Sequence, residues 1–85
     1  MLELYSEVQT VLGEALSLGS RAYELKPDSP LLGALPELDS QAVLAVLMGL
    51  EEHFGIVIDD DDVDAEAFET LESLTRLVSN KMAGS

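Results

Sequence analysis

The sequence predicts an all-α fold: a small helical bundle of three longer helices plus one short helix, with a long first loop. Three observations point to it. Three separate segments carry apolar residues at the three- and four-residue spacing that lines one face of a helix. All three prolines, at 27, 30 and 36, fall in one stretch and so set a long connection after the first segment. The β-branched run Ile56-Val57-Ile58 has no partner strand in the chain, and a lone strand is not stable. With 85 residues, one modest core is all that can be built, so residues 1–85 are expected to form a single domain.

Leu4, Val8, Val11, Leu12, Ala15 and Leu16 share a helical face and predict a first helix over residues 2–16. Gly19 and the prolines remove regular helix from most of the stretch to Leu38. A loop of that length must recover its ordering entropy through buried contacts, and Leu25, Leu31, Leu32, Leu35 and Leu38 are the available anchors. Asp39 and Ser40 are both good N-cap residues, and an uncharged helical pattern follows them at once, predicting a second helix over 40–54. Val43, Val46, Leu47, Leu50 and Phe54 form its main stripe, with Leu44 and Met48 widening the apolar face. Gly55 stands where a left-handed C-terminal residue is needed. Asp59 to Asp62 suit the start of a short helix near 61–67, held to the core by Val63 and Phe68. Thr70 is a suitable cap for a last helix with Leu71, Leu74, Leu77, Val78 and Met82 facing inward, and residues 83–85 are expected to fray.

Four basic against 17 acidic residues give a net charge of −13. Such a surface repels phosphate backbones and anionic membrane, so neither nucleic acid nor stable membrane association is expected, and basic protein partners are favoured. The longest uncharged apolar stretch, Ala42 to Leu50, is too short to span a bilayer, and Glu3 and Glu7 are wrong for a secretory signal. The expected setting is the cytoplasm and the expected state a monomer. No cysteine is present, which excludes disulfides, cysteine metal sites and a cysteine nucleophile.

Ser40 sits at a helix start beside Asp39, where backbone N–H groups and the positive end of the helix dipole favour a phosphodiester. The position suits modification but not hydrolysis, because the one histidine, His53, lies more than three helical turns further on. From the local pattern alone, either residue also serves as a plain helix cap.

The segment Leu38-Asp39-Ser40, followed by Val43, Leu47, Met48, Leu50-Glu51-Glu52 and Phe54-Gly55, resembles acyl carrier proteins around their phosphopantetheine attachment site. The resemblance runs through Ile58 and the acidic segment to Phe68-Glu69-Thr70-Leu71, over most of residues 36–80. It implies an acyl carrier protein-like bundle, and that Ser40 Oγ receives 4′-phosphopantetheine from coenzyme A through a phosphopantetheinyl transferase. Asp39 would assist metal and transferase engagement. The arm's thiol, not a protein side chain, would bear the acyl thioester. The chain would then be no enzyme. Val43, Leu47, Leu50, Phe54, Ile58, Phe68 and Leu71 would line an acyl cleft; each is equally an ordinary core residue at this spacing. Gln41, Leu44, Met48, Glu51, Glu52, Asp60 and Asp61 would form the surface that docks the transferase, an acyl-loading ligase or synthase, and an acyltransferase in fatty acid or lipid biosynthesis.

Ala42 and Ala45 stand where fatty-acid-synthesis members usually carry acidic residues, so partner recognition should differ. The string from Leu32 to Ser40, with Glu51-Glu52-His53-Phe54-Gly55, resembles carriers of bacterial exosortase and exopolysaccharide clusters, which implies loading by an acyl-activating ligase. Two other functions share these features: an unmodified helical adaptor with the same fold, and a peptidyl or aminoacyl carrier. A calcium loop in Asp59 to Asp64 fails on register, since counting from Asp60 puts Ala65 at the required glycine and Leu71 at the required glutamate. No metal site is expected.

Overall fold

The computed structural model describes residues 2–31, 35, 38–59, 63 and 66–84, with the backbone alone for Leu2 and Ser40. Three helices, α1 (Leu2–Ala15), α2 (Ser40–Phe54) and α3 (Leu71–Gly84), form the bundle, and a short 3₁₀ helix runs over Gly19–Glu24. The fold class predicted from the sequence is borne out, and no strand occurs among the described residues. α1 is the hub and packs against α2, α3 and the 3₁₀ helix.

Val8 and Leu12 on α1 are fully buried, and Val11, Leu16 and Leu18 nearly so. The helix stops where Ser17 takes a positive φ of 56° and the Leu18 N–H returns to the Gly13 carbonyl (2.9 Å). That six-to-one bond with a left-handed residue before it is a Schellman closure. The 3₁₀ helix was not expected. It forms because the stretch between Gly19 and Pro27 contains no proline and folds back on α1, where Ala22 is fully buried and Thr10 Oγ1 meets Tyr23 OH at 2.7 Å.

The first loop is anchored as its leucines predict: Leu31 and Leu38 are buried, and Leu25 and Leu35 pack against the core, while Leu32 lies outside the described residues. Backbone bonds add to this. Leu31 N–H donates to the Glu69 carbonyl (3.0 Å), Leu71 N–H to Ser29 (3.2 Å) and Glu72 N–H to Pro27 (2.8 Å), tying the loop to the start of α3.

Thr70 caps α3 reciprocally: Ser73 N–H donates to Thr70 Oγ1 (3.1 Å) and Thr70 N–H to Ser73 Oγ (3.0 Å). Serine here fills the place glutamate or glutamine takes in a capping box. Leu71, Leu74, Thr75 and Val78 form the buried stripe. Thr75 was not anticipated as core; its hydroxyl donates to the Leu71 carbonyl (2.7 Å), which removes the cost of burying it. Met82 corrects the expected inward set, since it is exposed. The short helix expected near 61–67 lies mostly outside the described residues; at its end Glu66–Glu69 is a turn closed by Glu69 N–H on the Glu66 carbonyl (3.2 Å). Phe68 and Ala67 are buried behind it.

Candidate functional site

The start of α2 is built from the loop inward. Leu38 is buried and holds the chain to the core, and Asp39 follows in extended conformation with φ −107° and ψ −174°. Its Oδ1 accepts the Ala42 N–H at 2.8 Å, and its carbonyl accepts Val43 N–H at 2.9 Å. Asp39 is therefore the N-cap and Ser40 the first helical residue. Helix geometry leaves the N–H groups of Ser40 and Gln41 without intrahelical partners, and the helix dipole places partial positive charge there.

The seven predicted cleft residues belong to one cluster. Leu50, Phe68 and Leu71 are buried within it, and Val43, Leu47, Phe54 and Ile58 are half-buried against it. They come from α2, the connector after it and the start of α3, so the cluster runs down the bundle from the end of α2 that carries Ser40. Two surface depressions of about 210 and 240 Å³ lie elsewhere, the first beside Ser73, Arg76 and Asn80 and the second beside Thr10, Glu14 and Tyr23; none of the seven lines either.

On the outer face of α2, Gln41, Leu44, Ala45, Met48 and Glu52 are exposed, with Leu44 and Met48 each 60% accessible. Leu44 and Met48 thus extend the apolar surface of α2 outside the core. α1 crosses α2 at Gly49, where an added Cβ would lie 2.9 Å from Val11 Cγ1, and that crossing turns the Leu44–Met48 line outward. The exposed stripe is uncharged for three turns from Ser40 and gains its first carboxylate at Glu52. Asp60 and Asp61 lie outside the described residues.

Glu51 differs from Glu52. It is half-buried, and its Oε2 accepts the Ile58 N–H at 3.0 Å. His53 sits 3.4 Å from Glu7 Oε1 on α1 and edge-on to Phe54 at 4.8 Å. The Glu51–Ile58 and His53–Glu7 contacts are not visible in sequence, because each joins residues whose approach depends on how the chain closes.

The family model described as phosphopantetheine attachment site matches residues 3–78. The holo acyl carrier protein of Nitrosomonas europaea, solved by solution NMR, is 46% identical with a TM-score of 0.88, over 98% of this chain and 99% of that one. No curated protein matches the chain. The match over most of its length and the shared fold lead to one conclusion: the chain belongs to the acyl carrier protein family, as a carrier and not a catalyst, bearing a covalent phosphopantetheine installed by a phosphopantetheinyl transferase.

Proposed function

We propose that Ser40 is the attachment residue and that the chain carries acyl groups as thioesters on its arm, passing them from a loading enzyme to an acceptor enzyme. The observation that carries this reading is the place of Ser40 as the first residue of a long, capped helix, in a chain that matches the phosphopantetheine attachment family over residues 3–78. Two other serines are committed elsewhere: Ser73 Oγ accepts the Thr70 N–H in the α3 cap, and Ser29 Oγ accepts the Lys26 N–H at 2.8 Å.

The residues at the head of α2 fit the group. The amide groups and positive dipole end of the first turn of α2 favour a phosphodiester at this helix start. Asp39 closes that turn through Ala42, which leaves its second carboxylate oxygen for the metal and transferase. When bound, the arm supplies a thiol for thioester exchange, which a cysteine-free chain lacks.

Leu44 and Met48 lie one and two turns from Ser40, about 6 and 12 Å along the axis. An enzyme that takes the arm must cover that surface, so these side chains with Gln41 and Glu52 form the docking face. The lack of acidic residues on it between Ser40 and Glu52 supports a loading enzyme other than a general fatty-acid synthase, such as an acyl-activating ligase. The seven-residue cluster is positioned to shelter the acyl chain between transfers. Residues 1–85 act as one carrier unit, with its partners in the cytoplasm; among the described residues, no helix is long and apolar enough to cross a membrane. Mass spectrometry of the chain after incubation with coenzyme A, magnesium and a transferase tests the assignment of Ser40, and cargo analysis of the holo form tests the acyl reading.

A further inference from the structure

We infer that Glu51 is a positioning residue, a latch that holds Ile58 against the cleft, and not part of the docking face. Three N–H groups of the connector converge on this one residue. Its backbone carbonyl accepts Gly55 N–H in the left-handed C-terminal cap and Ile56 N–H at 3.2 Å. Its side-chain Oε2 then accepts Ile58 N–H at 3.0 Å. The first two bonds end α2 and depend on backbone geometry alone. The third depends on the carboxylate and sets the direction in which the chain leaves.

The side chains show the result. Val57 points outward and is 69% exposed, whereas Ile58 turns in and packs half-buried on the core cluster. Beyond Ile58 the sequence runs Asp59-Asp60-Asp61-Asp62-Val63-Asp64. Like charges at that density repel one another. Among the described residues the Glu51 bond joins Ile58, just before this segment, to α2, so its loss should loosen Ile58. Glu52, next in sequence, is exposed and makes no such bond to the connector among the described residues. The two glutamates therefore divide the work: Glu52 faces partners and Glu51 faces the connector.

The consequence for cargo rests on the acyl-carrier reading. With Ile58 held in, the chain-side wall of the cleft stays closed; with Ile58 released, water reaches a sheltered thioester more readily.

Amide hydrogen exchange by NMR on the full apo chain tests the latch, comparing wild type with Glu51→Ala and Glu51→Gln. The latch predicts that Glu51→Ala speeds exchange at Ile58 by roughly tenfold, the low end for a charge-assisted hydrogen bond, because the site is partly open to water. Glu51→Gln keeps a carbonyl acceptor and should fall in between. Gly55 and Ile56, held by the unchanged backbone carbonyl, should keep their wild-type rates. Unchanged exchange at Ile58 in Glu51→Ala overturns the proposal, and so does an equal rise at all three amides, which would mean that the end of α2 simply unravels. A second arm measures hydrolysis of an acyl thioester on the holo forms: faster loss in Glu51→Ala than in Glu51→Gln supports the cargo consequence, and equal loss with Ile58 released overturns it. If no phosphopantetheine can be attached, the carrier reading fails while the exchange arm still decides the latch. Equal slowing of transferase modification by both variants, with exchange at Ile58 unaltered, returns Glu51 to the docking face.

Discussion

Asp39 carries two roles that a pair of substitutions separates. Its Oδ1 caps α2 through Ala42 N–H at 2.8 Å, and its carboxylate stands beside Ser40. Removing an aspartate cap costs about 1 kcal/mol, within a range of roughly 0.5–2, and losing a carboxylate at a helix N-terminus adds a few tenths where the group is exposed, as Asp39 is. For a domain of this size, a loss of about 1 kcal/mol lowers Tm by roughly 4–8 °C. Asp39→Ala should therefore melt about 4–8 °C below wild type in a thermal circular-dichroism scan. Asparagine caps as well as aspartate, so Asp39→Asn should lose only about 2 °C, the share of the charge. Phosphopantetheine transfer should order the variants differently. Both should be modified slowly, because both lack the carboxylate proposed to engage metal and transferase. An unchanged Tm in Asp39→Ala would refute the cap accounting, and wild-type modification of Asp39→Asn would refute the role of the charge.

Two further outcomes follow from the packing of α2. Gly49→Ala sets a methyl group 2.9 Å from Val11 Cγ1, a buried, β-branched side chain with little freedom to yield. Overpacking of about 1–3 kcal/mol outweighs a helix-propensity gain of about 1, so urea denaturation should show net destabilisation of up to about 2 kcal/mol, partly recovered by Val11→Ala. Met48→Glu changes a residue that is 60% exposed, so stability should move by no more than about 0.5 kcal/mol while the rate of transferase modification falls.

Much of this architecture is local in origin and so could be read from residue order. α2 begins and ends as expected because both of its ends are set by neighbouring residues: the Asp39 side chain reaches Ala42, and Gly55 adopts φ 65°. The clustering of Val43, Leu47, Leu50 and Phe54 could be read for the same reason, since period alone brings them to one side. What escaped depends on contacts between distant segments. α2 has more apolar residues than one face of a small bundle can bury. Which line faces out is decided by where α1 crosses, at Gly49 and Val11. The antiparallel bridge of Pro30 with Thr70 uses backbone groups that carry no side-chain signal. Thr75 reads as polar, yet it is fully buried because its hydroxyl is satisfied one turn back on its own helix. Glu51 and Glu52 are the same residue type side by side, and only the path of the connector distinguishes them.

The central claim is that Ser40 receives the arm. Intact-protein mass spectrometry after incubation with coenzyme A, magnesium and a broad-specificity phosphopantetheinyl transferase tests it most directly, with Ser40→Ala as the control. The account predicts a gain of one phosphopantetheine group on the wild-type chain and none on Ser40→Ala. A folded wild-type chain that gains nothing while the same transferase modifies a known carrier, or a Ser40→Ala chain that gains the group, would contradict it.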